Sequence, residues 1–175
     1  MSKCGTKSVD VVLDILGKAR TEIERSGVSW KGSPFAWLKW LSSRQIGAVG
    51  ERMVLEWMGL AIPAGGELEG VIVKFSTLWK EGQYVFQQFR PSQSWRYAIC
   101  FGVSPFDVHA WILPRDVVLA NATPQHAGKR DTLWLHVVPK HPPLWMEEYG
   151  GDLEKTLEVI GNEYRRVEKA SIENG

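Results

Sequence analysis

Two cysteines in 175 residues, Cys4 and Cys100, are too few and too far apart to staple a fold. Cys100 lies within the apolar run YAICFGV, which suits a free thiol in a reducing compartment rather than a secreted disulfide scaffold. Long hydrophobic runs are missing too. No stretch approaches the ~20 consecutive apolar residues that a membrane-spanning helix needs, and the first residues lack the apolar core of a secretory signal. A cytoplasmic protein without membrane association is therefore expected. Charge of one sign is also scarce: 21 basic against 20 acidic residues leave a net charge of +1. A nucleic-acid surface would then have to come from uneven placement of the basic residues, not from overall excess. There is no CxxC pair, Walker loop, Rossmann fingerprint or GxSxG elbow. His109, His136 and His141 lack metal-ligand spacing. Without repeats, low-complexity tracts or linkers, residues 1–175 read as one domain.

Tryptophan is what the chain has in excess, with nine: Trp30, Trp37, Trp40, Trp57, Trp79, Trp95, Trp111, Trp134 and Trp145. Indoles bury large areas and need a partner for the ring N–H, so most are expected in or at the edge of the core. A minority would be free to stack on bases.

Periodicity predicts an amphipathic helix over 8–26, with Val9, Val12, Leu13, Leu16 and Ile23 near one face and Gly27 as its stop. A short helix start follows at Ser33–Pro34. Ser42 or Ser43 caps a second helix through Met58, ended by Gly59, with Ile46, Val49, Met53 and Trp57 as its apolar stripe. Gly65, Gly66 and Gly70 mark turns, and Val71–Phe75 reads as a strand. Residues 83–90 are compatible with a strand or a short helix. Tyr97–Val103 is nearly continuous apolar sequence, the mark of a strand covered on both faces. His109–Leu113 is a strand ended by Pro114, with a turn or two of helix at 115–120. A polar loop, NATPQHAGKRD, leads to a strand at Thr132–Val138. Leu153, Leu157, Ile160, Tyr164 and Val167 repeat at helical spacing, giving a C-terminal helix over about 152–168 with the last five residues frayed. The fold class is thus α/β (α+β): a helical part over about 8–58, a mixed central sheet over about 65–138 and a C-terminal helix.

Lys74 ends a strongly apolar strand, where a lysine must reach solvent by snorkelling or hold a defined partner. Glu51 follows Gly47 and Ala48 and precedes Val54 and Leu55 on its helix, so it points toward the protein body or is simply a solvated helix residue. Arg90, Arg96, Arg115, Lys129 and Arg130 lie in or beside expected loops, where they would track phosphates or serve as ordinary surface charges.

The order of these pieces resembles the PD-(D/E)XK nuclease superfamily, and within it small bacterial restriction-endonuclease-like proteins. The pieces are Gly50–Glu51 on a helix, a Gly-rich hairpin, VIVKFSTLW at 71–79, YVFQQFR at 84–90, YAICFGVSP at 97–105, HAWILP at 109–114 and PQHAGKRDTLWLHV at 124–137. About half the chain is covered. The resemblance implies a restriction-endonuclease-like core and Mg²⁺-dependent hydrolysis of DNA, in which carboxylates on a hairpin hold metal that activates water. Lys74 matches the motif lysine and Glu51 the helical glutamate. Gln87 and Gln88 match glutamines often found on the following helix, where they orient the lysine or contact phosphate. The second acidic position falls on Ile72, and the first can be assigned only to Glu67 or Glu69 in a shortened segment. On this resemblance Glu51, Glu67 and Glu69 are the metal candidates, and His126, Lys129, Arg130 and Arg90 the DNA contacts. A working metal site would make the chain an endonuclease, with a homodimer cutting both strands. A degenerate one would make it a DNA-binding or scaffolding subunit.

Overall fold

A computed structural model of the chain describes Asp14 and residues 28–173, and of Lys129 and Arg130 only the backbone. The helix expected over 8–26 therefore lies outside the described residues, apart from Asp14. From Val28 a short 3-10 helix, Ala36–Trp40, leads into helix α1, Ser43–Met58. Ser42 opens α1 with a capping box: Gln45 N–H donates to Ser42 Oγ, and Ser42 N–H donates to Gln45 Oε1 at 2.9 Å. That arrangement satisfies two of the donors a helix start leaves over.

Seven strands follow: β1 (Val71–Thr77), β2 (Tyr84–Phe89), β3 (Tyr97–Val103), β4 (Val108–Pro114), β5 (Thr123–His126), β6 (Lys129–Val137) and β7 (Gly150–Gly151). Helix α2 (Arg115–Asn121) separates β4 from β5, a second 3-10 helix (Leu144–Tyr149) precedes β7, and α3 (Leu153–Glu173) ends the chain. The fold is mixed α/β, but not around one sheet. A four-stranded sheet has the order β1-β3-β4-β7 and a three-stranded sheet the order β2-β6-β5. β1 runs parallel to β3, and the remaining pairs are antiparallel.

The larger sheet is the middle layer. Alternation along β1 and β3 gives it two apolar faces. Val71, Val73, Phe75, Ile99 and Phe101 pack with Val54, Met58 and Ile160 of the helices. Ile72, Ala98 and Cys100 pack with Tyr84, Phe86, Trp111 and Leu133, between the two sheets. All seven residues of β3 are buried, as expected of a strand covered on both faces.

Residues 84–89, open in sequence to a strand or a short helix, form a strand. Several expectations are corrected. The polar loop after α2 is largely a hairpin, with β5 and the start of β6 inside it. α3 continues to Glu173, past the expected fraying point. The apolar stripe of α1 is rotated: Val49 and Met53 are exposed, while Gly50, Val54 and Met58 are buried. The cause is a close approach of helix to strand, because a Cβ on Gly50 would fall 2.4 Å from the Phe75 side chain.

Gly102 plays the same part between the sheets. A Cβ there would lie 2.5 Å from the ring of Tyr84, which is fully buried. Overpacking of this kind typically costs about 1–3 kcal/mol. Gly102→Ala is accordingly expected to lower the urea midpoint without changing the slope of the transition. A midpoint equal to the parent's would mean that the Tyr84 ring has room to retreat.

Candidate functional site

Each sheet ends on a strand that faces the other. β1 is the outer strand of the larger sheet and β2 the outer strand of the smaller one. They are joined by a tight turn in which Gly82 N–H donates to Trp79 O at 2.9 Å. The two edges do not form a ladder with each other. Side chains bridge them instead: Val85 N–H donates to Ser76 Oγ at 3.1 Å, and Lys74 Nζ donates to the carbonyl of Gln88 at 2.9 Å. A cleft of about 330 Å³ opens between these edges and the start of α1, lined among others by Ser43, Lys74, Thr77, Gln87 and Gln88.

Lys74 is half-buried in this cleft, on the same face of β1 as Ile72 and Ser76. The Gln88 carbonyl is aimed at it by a bulge, since the β2–β6 register shifts between Phe86 and Phe89. Gln88 sits at φ 59, in the left-handed region that non-glycine residues seldom occupy. The ammonium also lies 5.2 Å from the centre of the Phe89 ring. Burial holds the Lys74 pKa below its ordinary 10.5, and nearby Arg90 adds to the lowering. The Cys100 thiol pulls the other way. Complete burial pushes Cys100's own pKa up, however, so it stays a neutral thiol and offers no counter-charge at neutral pH. Among the described residues, none that lines the cleft is acidic. Lys74 has three N–H donors and spends one on Gln88, leaving donors for a further partner.

The structure thus brings together Lys74, Gln87 and Gln88, with the two glutamines on a strand rather than a helix. It does not bring the carboxylates with them. Glu51 is exposed on α1, and it is Gly50 that faces the sheet. Glu67 and Glu69 are exposed on either side of the buried Leu68, in turns before β1 that contain no strand. Ile72, on the motif's second acidic position, is half-buried against the core between the sheets. Among the described residues no three His, Cys, Asp or Glu converge as a metal would require. Mg²⁺ takes hard oxygen donors in near-octahedral geometry, and these side chains do not supply that set.

The expected DNA contacts divide in two. Arg90 is exposed at the end of β2, close enough to Lys74 to act on its charge. His126 is exposed on β5, the edge of the smaller sheet away from β2, and Lys129 and Arg130 lie at the start of the central strand β6, ahead of the residues that pair with β2. Sequence reasoning missed Ser43 and Thr77. The signal available for Ser43 was its place at the start of a capped helix, where backbone N–H groups and the helix dipole favour an anion. Comparison of the chain with protein-family models, with curated protein sequences and with solved structures found no match in any of the three.

Proposed function

We propose that the protein binds DNA through its phosphate backbone at the cleft between β1 and β2, and that it does so without cutting. One observation carries this reading. Among the described residues Lys74 is a half-buried ammonium with no carboxylate beside it, in a cleft whose other polar side chains are mainly hydroxyls and amides. A charge kept in such a place at the cost of desolvation is suited to an anion that arrives from outside. Ser43, Thr77 and Gln87 add neutral donors, and Arg90 extends the positive surface along β2. The resemblance to the PD-(D/E)XK superfamily, with Lys74, Gln87 and Gln88 in its motif positions, makes a phosphodiester the natural anion and a restriction-endonuclease-like core the natural description of the fold.

The second reading is the Mg²⁺-dependent endonuclease, favoured by the meeting of Lys74, Gln87 and Gln88 in one cleft. It requires carboxylates that the described residues do not gather there. It also calls for a homodimer or a partner subunit, since strands of opposite polarity need two sites.

The test is binding of short labelled duplexes and single strands, followed by anisotropy from low to moderate salt. Affinity is expected to be measurable at low salt and to fall with a log–log slope of about −0.9 per phosphate neutralised on duplex DNA. With few basic residues at the cleft the slope should be shallow. Absence of binding to every nucleic acid at low salt would overturn the proposal, and Mg²⁺-dependent cleavage would replace it with the second reading.

A further inference from the structure

Trp79 lies just past the end of β1 and lines the same cleft as Lys74, Thr77 and Gln87. It is 38% exposed, so the core has not absorbed it. Phe75, the other aromatic residue of the cleft, stacks on Phe101 with centroids 5.9 Å apart and belongs to the core on the helix side.

Trp79 is also held in place. Its N–H donates to the carbonyl of Gln83 at 2.9 Å, and its own carbonyl accepts from Gly82 N–H at 2.9 Å. The β1–β2 turn thus fixes its backbone on both sides. The indole meets Trp134 edge to face, with centroids 6.5 Å apart and planes 67° apart. A large ring that is rigid before anything binds loses little entropy when it makes a contact. Aromatic rings beside a cationic groove are the usual means of holding unpaired bases.

The charge of the cleft is sparse. Among the described residues that line it, Lys74 alone carries one. Duplex DNA is held through many phosphates at once, each neutralised by a basic side chain, and a single ammonium supplies little of that. Its bases are also paired and stacked on one another, which closes their faces to Trp79. A single strand offers both groups together, phosphates for Lys74 and bases with open faces. The chain from Lys74 to Trp79 reaches no further than about 18 Å even when fully extended, a length that a few nucleotides of open strand can follow. We propose that the occupant of this cleft is single-stranded DNA, with a base stacked on Trp79 and a nearby phosphate on Lys74. This rests on the DNA-binding reading of the same cleft and narrows it to an unpaired strand.

The experiment is anisotropy titration of the full chain with three labelled probes: a short oligothymidylate, the same backbone with abasic sites in place of its bases, and a duplex of equal length. The thymidine strand is expected to bind tightest. Removing its bases should weaken binding about tenfold to hundredfold, the effect of a lost stacking contact. Trp79→Leu keeps an apolar side chain against Trp134 but removes the ring face, and should cause a loss of the same size. Trp79→Phe keeps a face and should retain most of the affinity. Salt separates stacking from charge. Trp79→Leu should leave the log–log salt slope as it is, whereas Lys74→Met should reduce it by about 0.7, the value per phosphate on a single strand. Denaturant melts check that the variants are folded, and the abasic comparison uses the parent chain alone. Duplex binding as tight as that of the single strand, equal binding of the abasic and thymidine strands, or parental affinity in folded Trp79→Leu would overturn this inference and leave backbone binding at the cleft standing. Binding of none of the three probes at low salt would remove the DNA-binding reading itself, and this inference with it.

Discussion

Ile72→Glu is expected to destabilise the chain by about 2–4 kcal/mol, the range for putting an unpaired charge into a packed apolar site. Ile72 packs toward Tyr84, Phe86 and Trp111 between the sheets, so the change removes apolar contacts and desolvates a carboxylate together. Lys74 lies two residues along the same face and offsets part of that cost, which places the expected loss toward the lower end. Denaturant melts with and without divalent metal separate the two functional readings. In the DNA-binding reading, Mg²⁺ and Mn²⁺ leave the variant's midpoint where it is. If the strand retains the geometry of a nuclease site, the new carboxylate binds metal and the midpoint climbs with metal concentration by mass action. Metal-dependent recovery accompanied by new cleavage activity would favour the endonuclease reading over the DNA-binding one.

Lys74→Met should move stability and binding in opposite directions. The loss of a charge-assisted contact to phosphate, worth roughly 1.5–3 kcal/mol, corresponds to about a tenfold to hundredfold loss of DNA affinity. Folding stability should nevertheless stay level or rise. Methionine fills much of the same space, and the desolvation that lowers the Lys74 pKa is relieved when the charge is gone. The pH dependence provides a check on sign. The folded chain releases this proton at lower pH than the unfolded chain does. Between the lowered value and the ordinary 10.5 the unfolded state therefore binds more protons, and the parent gains stability as pH rises. Below that window the penalty is fully present. The stability advantage of Lys74→Met should accordingly be greatest near neutral pH and shrink under alkaline conditions. A variant that binds DNA like the parent, or one that melts well below it, would show that Lys74 is held for structural reasons.

Much of the fold was legible because local pattern and burial agree. The unbroken apolar run of β3, the capped start of α1 and the four-then-three spacing of α3 each name their element directly. The two sheets were not legible, since nothing local tells β2 to join β6 rather than its sequence neighbours β1 and β3. The stripe on α1 had the right period and the wrong phase. Val49 and Met53 are apolar but exposed, and the contact that sets the helix's rotation is made by Gly50, which a search for large side chains passes over. At the site, alternation correctly put Ile72 and Lys74 on one face of β1. The backbone of Gln88 was beyond reach, because its left-handed conformation depends on a bulge and a lysine supplied by other parts of the chain. The distant positions of Glu51, Glu67 and Glu69 are likewise set by packing, through Gly50 and Leu68.

Neither sheet is a continuous stretch of chain. Passing from β1 to β7, the polypeptide enters the larger sheet, crosses to the smaller one, returns for β3 and β4, crosses again for β5 and β6, and closes the larger sheet with β7. No single cut yields two fragments that each retain a complete sheet, and during synthesis β6 completes the smaller sheet before β7 closes the larger one. β1 must wait for β3, β2 for β6 and β4 for β7, and loop closure over such distances slows the search. The protein should therefore refold slowly for its size and in one cooperative step, with hydrogen exchange in β1, β3 and β6 governed by the same global opening.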